Sequence, residues 1–559
     1  MIYESFKLSE LPYERVKIET FEKEASGIIN EFTEAKSGEK QFEIHKRYYS
    51  LMNKVSTAMI LAALRHDGDV SNKFYEEEQE YYDKVSPKIE SFKVKYQKML
   101  FESKYRTYFE KMIGTVPFKD IELRLKAFDD MLIPLKREEN TLVSKYNKLI
   151  AQTNVEFRGE TLSLSLLGKY LQSKDRETRI EAAKARSGKL ITITGELDEI
   201  FDKLVANRNE QAKLMKYENY VELGYYNMQR NSYDKNDVAN FRNQVKKYLV
   251  PFANKMHEER RKRLGIQTLD FVDEGIYFRD GNPVPIGSAD DIFAAGKKMY
   301  NELSTETSEF FNFMLDHELF DVLGRANKAA GGYMDMLMAY KSPIIFANFN
   351  GTSGDVDVIT HECGHAFQGY LTRDDEILEH NNITMETAET HSMSMEFFTG
   401  KWMELFFGNR AEDYRKMQVE DAIAFVPYGC MVDEFQEIIY TRPELTAAQR
   451  RAVWKQLEKE YKPHLAYMDD EFYSEGRRWQ MQKHIYDYPF YYIDYCIAQT
   501  CALQFKGMMD EDYNNAWGKY IEFCRQSAKD YFPNMLNNVG LRSPFEDGFI
   551  KELVDKIKL

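Results

Sequence analysis

The sequence predicts a mainly α-helical protein of more than one lobe, on three observations. Long stretches carry apolar residues at helical spacing with few glycines or prolines to interrupt them, as from Lys46 through Leu64. At 559 residues the chain exceeds what one ordinary hydrophobic core accommodates. Its composition, 43% hydrophobic and 30% charged, belongs to a globular rather than a disordered chain.

In chain order, residues 21–146 read as long charged helices. Residues 154–165 alternate about Gly159 and Glu160 and read as a short hairpin, after which helices resume from 175 to 210. The expected division is an N-terminal helical lobe over residues 1–195 and a C-terminal domain over 196–559. Asp280-Gly-Asn-Pro283-Val-Pro285-Ile-Gly287 is the densest cluster of helix breakers, and Ser288 is placed to cap the helix that follows. Ala329-Ala-Gly331-Gly332 reads as a second turn or flexible loop. Ser342-Pro-Ile-Ile-Phe-Ala-Asn-Phe349 reads as a strand of a small sheet, its early proline suiting an edge that could pair with an extended peptide.

Composition also excludes classes of function. The net charge of −15 is offset by no basic cluster except Arg260-Arg-Lys-Arg263, which follows two glutamates and reads as a solvated helix end, so nucleic acid is not an expected partner. The five cysteines are odd in number and form no CxxC pair, which fits a reducing cytoplasm better than a disulfide framework. No run of 18 apolar residues occurs and the first ten residues hold no apolar segment, so the expectation is a cytoplasmic protein with no membrane contact.

The chemistry concentrates at His361-Glu362-Cys363-Gly364-His365. On a helix, residues i and i+4 share a face, so both imidazoles can reach one metal ion while Glu362 stands beside an open coordination position. Ser353-Gly-Asp355 supplies candidate N-caps, Ile359, Cys363, Ala366, Phe367 and Tyr370 form an apolar stripe, and residues 372–375 end the helix. The pattern implies metal-assisted hydrolysis, with Cys363 pointing away from the metal into the core.

A hydrolytic site of this kind needs a third protein ligand. A second long helix is expected over 383–407 after a turn through residues 380–382, and an antiparallel return regains the metal's depth some six to ten residues in. Glu386, Glu389, His391 and Glu396 fall near that level. Glu389 and Glu396 are seven apart on one face, so one could ligate while the other orients a histidine; His391 points about 160° from Glu389.

Glu389-Thr-His-Ser392-Met-Ser-Met-Glu396, beginning 24 residues after His365, resembles the third-ligand segment of the oligoendopeptidase F and Pz-peptidase group, relatives of thimet oligopeptidase. The similarity extends to Gly476-Arg-Arg-Trp-Gln-Met-Gln-Lys-His484 and Pro489-Phe-Tyr-Tyr-Ile-Asp-Tyr495, and so covers roughly residues 340–505. The resemblance implies that Glu389 is the third ligand of one zinc ion.

Residues 484–495 hold five tyrosines, for which the plain explanation is an aromatic core helix. Tyr488, Tyr492 and Tyr495 fall at i, i+4 and i+7, with Pro489 suited to a first helical turn, so a row of phenols could face one space and donate to an oxyanion. On the same helix Tyr491 would lie to one side of the row. The resemblance implies that His484, Tyr488 and Tyr495 line the site. The interval from His484 to Tyr488 is one residue shorter than in the thimet branch, as in the oligoendopeptidase F branch.

Together these readings predict two helical lobes enclosing a deep substrate cleft, a small sheet beside the active-site helix, and a zinc endopeptidase acting on short peptides. The alternatives are a carboxypeptidase or dipeptidyl-carboxypeptidase, for which Arg477 or Arg478 would bind a terminal carboxylate, and a peptide-binding protein without activity.

Overall fold

The structure is a computed structural model that describes residues 6–325, 327–329 and 331–557. It is mainly α-helical, with one two-stranded and one three-stranded sheet among the described residues. No helix among them is long and apolar enough to cross a membrane.

The chain divides into two compact units, each assembled from separated segments. The first comprises Met1–Leu125, Val284–Ala411 and Met508–Leu541; the second comprises Lys126–Pro283, Glu412–Gly507 and Arg542–Leu559. A single break near residue 195 therefore does not describe it. Residue 195 lies inside the helix Thr194–Leu214, in the middle of a second-unit segment. Contacts between residues hundreds apart in sequence define these units, and local breaker signals do not report such contacts.

In the first unit, Ile18–Glu34, Gly38–Gly68 and Lys73–Phe101 are helices, the second capped by the Ser37 side chain and the third by that of Asn72. Ile18, Phe21, Ala25, Ile28 and Phe32 recur at three- and four-residue intervals and are buried, the stripe expected of a helix packed on one face. They join Val55, Ile89, Phe92, Tyr96 and Phe109 in one core. Ser288 caps the helix Ala289–Leu303 in a reciprocal arrangement with Asp291.

The three-stranded sheet, in spatial order Phe320–Leu323, Ser342–Phe349, Tyr333–Leu337, also belongs to this unit. Ser342–Phe349 is thus central rather than an edge. Its neighbours pair parallel on one side and antiparallel on the other. Pro343 is tolerated because side alternates along a strand: the Ile345 amide bonds Leu319 O at 3.0 Å, and two residues earlier the missing Pro343 amide would face the same side, where the parallel strand starts only at Phe320. In the glycine loop before Tyr333, Gly331 adopts φ 104°, while Ala330 lies outside the described residues.

In the second unit, Asn154–Phe157 and Glu160–Ser163 form the expected hairpin. Its turn is Arg158 and Gly159, both at positive φ (51° and 84°) as a type I′ hairpin turn requires, one residue earlier than the sequence suggests. The basic cluster at 260–263 is not simply solvated. Arg260 is buried against the Tyr277 ring, and Arg263 makes paired bonds to Glu420 at 2.9 and 2.6 Å.

Candidate metal centre

The motif lies on one helical run made of Gly354–Asp357, a π-helical turn Val358–Glu362, and Cys363–Thr372. Wide turns of this kind recur at functional sites. Here a side chain from outside serves the opened backbone: the Tyr300 hydroxyl donates to Ile359 O at 2.8 Å. The start of the run differs from the expected cap. Ser353 makes no side-chain cap bond, and Asp355 instead accepts from the Asn350 and Gly351 amides at 2.8 and 2.7 Å, bracing the preceding loop.

The return segment is broken rather than continuous, with helix Met385–Phe398, a 3₁₀ stretch Thr399–Trp402, and helix Met403–Phe407. Contacts between the motif and return helices run in opposite senses, Glu396 meeting His361 and Glu389 meeting His365. Gly364 is where they come closest. A β-carbon there would lie 2.6 Å from Ser392 Cα and 2.9 Å from His391 O, so only glycine allows this approach. Sequence reasoning overlooked that residue, although a glycine inside the motif was its visible signal.

The close approach brings three donors together. Nε2 of His361 and Nε2 of His365 are each 3.4 Å from Oε2 of Glu389, and the three donor atoms lie within 4.8 Å of one another. The two rings stand nearly perpendicular, centroids 5.2 Å apart. Glu396 Oε1 is 2.6 Å from His361 Nδ1, which leaves Nε2 directed at the cluster, and Ser392 Oγ donates to Glu389 Oε2 at 3.0 Å. Neither of those supporting side chains is itself at the centre. Two imidazole nitrogens and one buried carboxylate oxygen form a donor set that could hold a metal ion.

Electrostatics agree with a cation-binding cluster. Burial alone would raise the Glu389 carboxyl, but the charge of His365 and hydrogen bonds from both rings hold it well below the usual carboxylate range. For His361, burial works against protonation, yet bonds to Glu389 and Glu396 outweigh it and raise the ring well above its ordinary value. A divalent ion would replace those protons.

The remaining candidates separate cleanly. Glu386 is buried and accepts from Thr384 Oγ1 at 2.5 Å. The His391 ring packs 5.1 Å from that of Phe523, and burial followed by the charge of His365 pushes it down to about 3. Cys363 is fully buried, and burial pushes its thiol up. Glu362 is half-buried, and among the described residues no hydrogen bond or ion pair engages its carboxylate, which leaves it available as a base.

The tyrosine segment departs from its expected form. Lys483–Asp487 is a short helix, the chain turns through 488–491, and the next helix is Tyr492–Glu511. Tyr488 is therefore not in a row with Tyr492 and Tyr495; it sits on the turn, 64% exposed. The break has a cause at Phe490, which adopts φ 69° and is fully buried, its amide donating to Gln436 Oε1 at 3.0 Å and its carbonyl accepting from Arg230. Gly224 makes room, since a β-carbon there would lie 2.6 Å from the Phe490 ring. The result groups His484, Tyr491 and Tyr495, with Tyr491 4.8 Å and His484 6.0 Å from the Tyr495 ring. The geometry that set Tyr491 aside is gone.

Of the two arginines considered for a terminal carboxylate, Arg478 donates to Glu274 at 2.5 Å and lies over the Tyr428 ring, and Arg477 lies 4.0 Å from Glu471. Arg478 is already paired inside its own unit, on a carboxylate that Lys462 shares.

Comparisons with known proteins follow the same lines. Residues 8–128 match the peptidase M3 N-terminal domain, and residues 169–280 and 298–555 match peptidase family M3, together more than half of the chain. A solved structure of Pz peptidase A with an inhibitor is similar with TM-score 0.94 and 41% identity, 98% of each chain being covered. A crystal structure of a putative oligoendopeptidase F from Bacillus anthracis str. Ames gives TM-score 0.89 and 39% identity over 99% of this chain and 97% of that one. An oligoendopeptidase F homolog of Borreliella burgdorferi is 23% identical over 91% of this chain and 89% of its own length.

Proposed function

This chain belongs to peptidase family M3 and is an oligopeptidase, and from that premise we propose that it is a zinc-dependent endopeptidase of short peptides, with His361, His365 and Glu389 as the ligands. The observation that carries the reading is the convergence of those three donors within 4.8 Å beside an unengaged Glu362. Two imidazoles and one carboxylate favour zinc over harder cations. When bound, zinc would polarise the scissile carbonyl and acidify a water molecule.

The chain's own residues do the proton work. Glu362 takes a proton from the attacking water and delivers it to the leaving amine nitrogen. Glu396 holds the His361 ring by Nδ1, and Ser392 holds the Glu389 carboxylate. Tyr495, Tyr488 and His484, assigned to the site by likeness to the family, donate hydrogen bonds to the oxyanion as the carbonyl becomes tetrahedral.

Glu362→Gln tests the division between base and ligands. Measured together, zinc content should stay at the wild-type level while kcat falls by about 10²- to 10⁴-fold. Full activity would rule out Glu362 as base, and loss of zinc would make it a ligand.

A further inference from the structure

His484 stands at one end of a hydrogen-bond chain whose direction is set at the other end. Arg478 Nη1 donates to Glu274 Oε2 at 2.5 Å, and its guanidinium carbon lies 5.1 Å from the Tyr428 ring centroid. Lys462 bonds the same glutamate and lies 5.2 Å from the same ring. Guanidinium and ammonium groups only donate. Neither cation offers an acceptor to the phenol, and its proton goes to Gln482 Oε1 at 2.7 Å.

That bond orients the Gln482 amide, which could otherwise face either way. With its oxygen toward Tyr428, its Nε2 faces His484 Nδ1 at 3.0 Å. An amide N–H needs a lone pair opposite, so Nδ1 is bare and the ring proton sits on Nε2. Burial, against the opposing charge of Arg478, pushes the Tyr428 phenol up to about 12, so it keeps the proton on which the chain depends. The phenol rings of Tyr492, Tyr491 and Tyr495 lie against the His484 ring, with centroids at 5.0, 5.7 and 6.0 Å.

We propose that Gln482, oriented by the Tyr428 hydroxyl, is a positioning residue that holds His484 in its Nε2-protonated form, so that the ring serves the reaction as a hydrogen-bond donor and not as a base. This rests on the proposed role of His484 at the oxyanion.

The test is Gln482→Glu in the full-length zinc enzyme. A carboxylate accepts, so it selects the opposite tautomer, with the proton on Nδ1 and a lone pair on Nε2. In wild type, neutral and protonated rings both donate from Nε2. In Gln482→Glu only the imidazolium does, so kcat relative to wild type should fall about tenfold for each pH unit above the ring's pKa, a basic limb that wild type lacks. Gln482→Met, which selects neither tautomer, should lower kcat without that limb. Nitrogen-15 spectra of histidine-labelled protein, with the His484 signals assigned by their loss in His484→Phe, should show a protonated Nε2 in wild type and a protonated Nδ1 in Gln482→Glu. A wild-type proton on Nδ1, or a Gln482→Glu profile parallel to wild type while His484→Phe lowers kcat, would overturn the proposal and leave the proposed function standing. Wild-type kcat in His484→Phe would remove the ring from the reaction, and this proposal with it, while the zinc reading would survive on the metal content of Glu362→Gln.

Discussion

The donor cluster and the tyrosine segment are both built on short helical pieces, yet their residues reach position by different means. At the cluster, helical spacing does most of the work: His361, in a π-helical turn, and His365 lie four residues apart on one continuous run, and a return helix crossing at Gly364 delivers Glu389. In the tyrosine segment the regular pattern fails where it matters, because Phe490 turns into the left-handed region and buries its ring between Gly224, Tyr225 and Tyr440. One region is held by periodicity and a single close approach. The other is held by a strained turn that its surroundings fix, at a cost of order 1–3 kcal/mol that the buried ring and two backbone bonds offset.

The largest effect that could break this contrast lies in the tyrosine segment. Tyr495→Phe deletes one proposed oxyanion donor and should lower kcat by about a hundred- to a thousand-fold with little change in KM, about 2.7–4 kcal/mol, with Tyr488→Phe smaller. Because Tyr491 packs against Tyr495, Tyr491→Phe should behave more like Tyr488→Phe than like a remote substitution. Steady-state kinetics with zinc content confirmed decides it. Near-wild-type kcat in all three would return the phenols to a packing role.

Next in size comes the support of the cluster. Glu396→Gln should weaken zinc binding by about 10- to 100-fold, read by competition with a chelating dye, since the carboxylate on Nδ1 fixes the His361 ring and strengthens it as a ligand. Unchanged affinity would mean that the helices alone align that ring.

The smallest expected effect is also the sharpest about helix crossing. In an unobstructed helix Gly→Ala stabilises by about 1 kcal/mol. At Gly364 the added methyl would meet backbone atoms that cannot swing aside, so Gly364→Ala should destabilise by about 1–3 kcal/mol in denaturant unfolding and weaken zinc binding in parallel. A stabilised variant would show that the helices separate freely.

What could be read beforehand follows the same division. The motif helix, its end at Thr372, the Ser288 cap and the hairpin all rest on interactions within a few residues, and sequence patterns report those; the antiparallel return was legible because a short turn joins two helical stretches. The central position of Ser342–Phe349 was hidden because Pro343 suggested an edge, and the tolerance arises only from where the partner strand begins. The units could not be seen as separated segments, since their contacts join residues hundreds apart. The bend at Phe490 was equally hidden: Pro489 fits a helix start, and the pocket that draws Phe490 out of one is lined by Gly224 and Gln436, far away in sequence. Gln482 passed unnoticed beside His484 for the opposite reason, since nothing about a neighbouring glutamine shows which way its amide faces until Tyr428 is in place.

Zinc stoichiometry and affinity in the wild type, Glu389→Ala and Glu386→Ala, measured by elemental analysis and competition with a chelating dye, test the donor cluster most directly. The wild type and Glu386→Ala should each hold about one equivalent, and Glu389→Ala should lose more than about 100-fold in affinity, a greater cost than removing a supporting contact. Equal affinity in wild type and Glu389→Ala would contradict the assignment of the third ligand, and an absence of zinc binding in the wild type would contradict the centre itself.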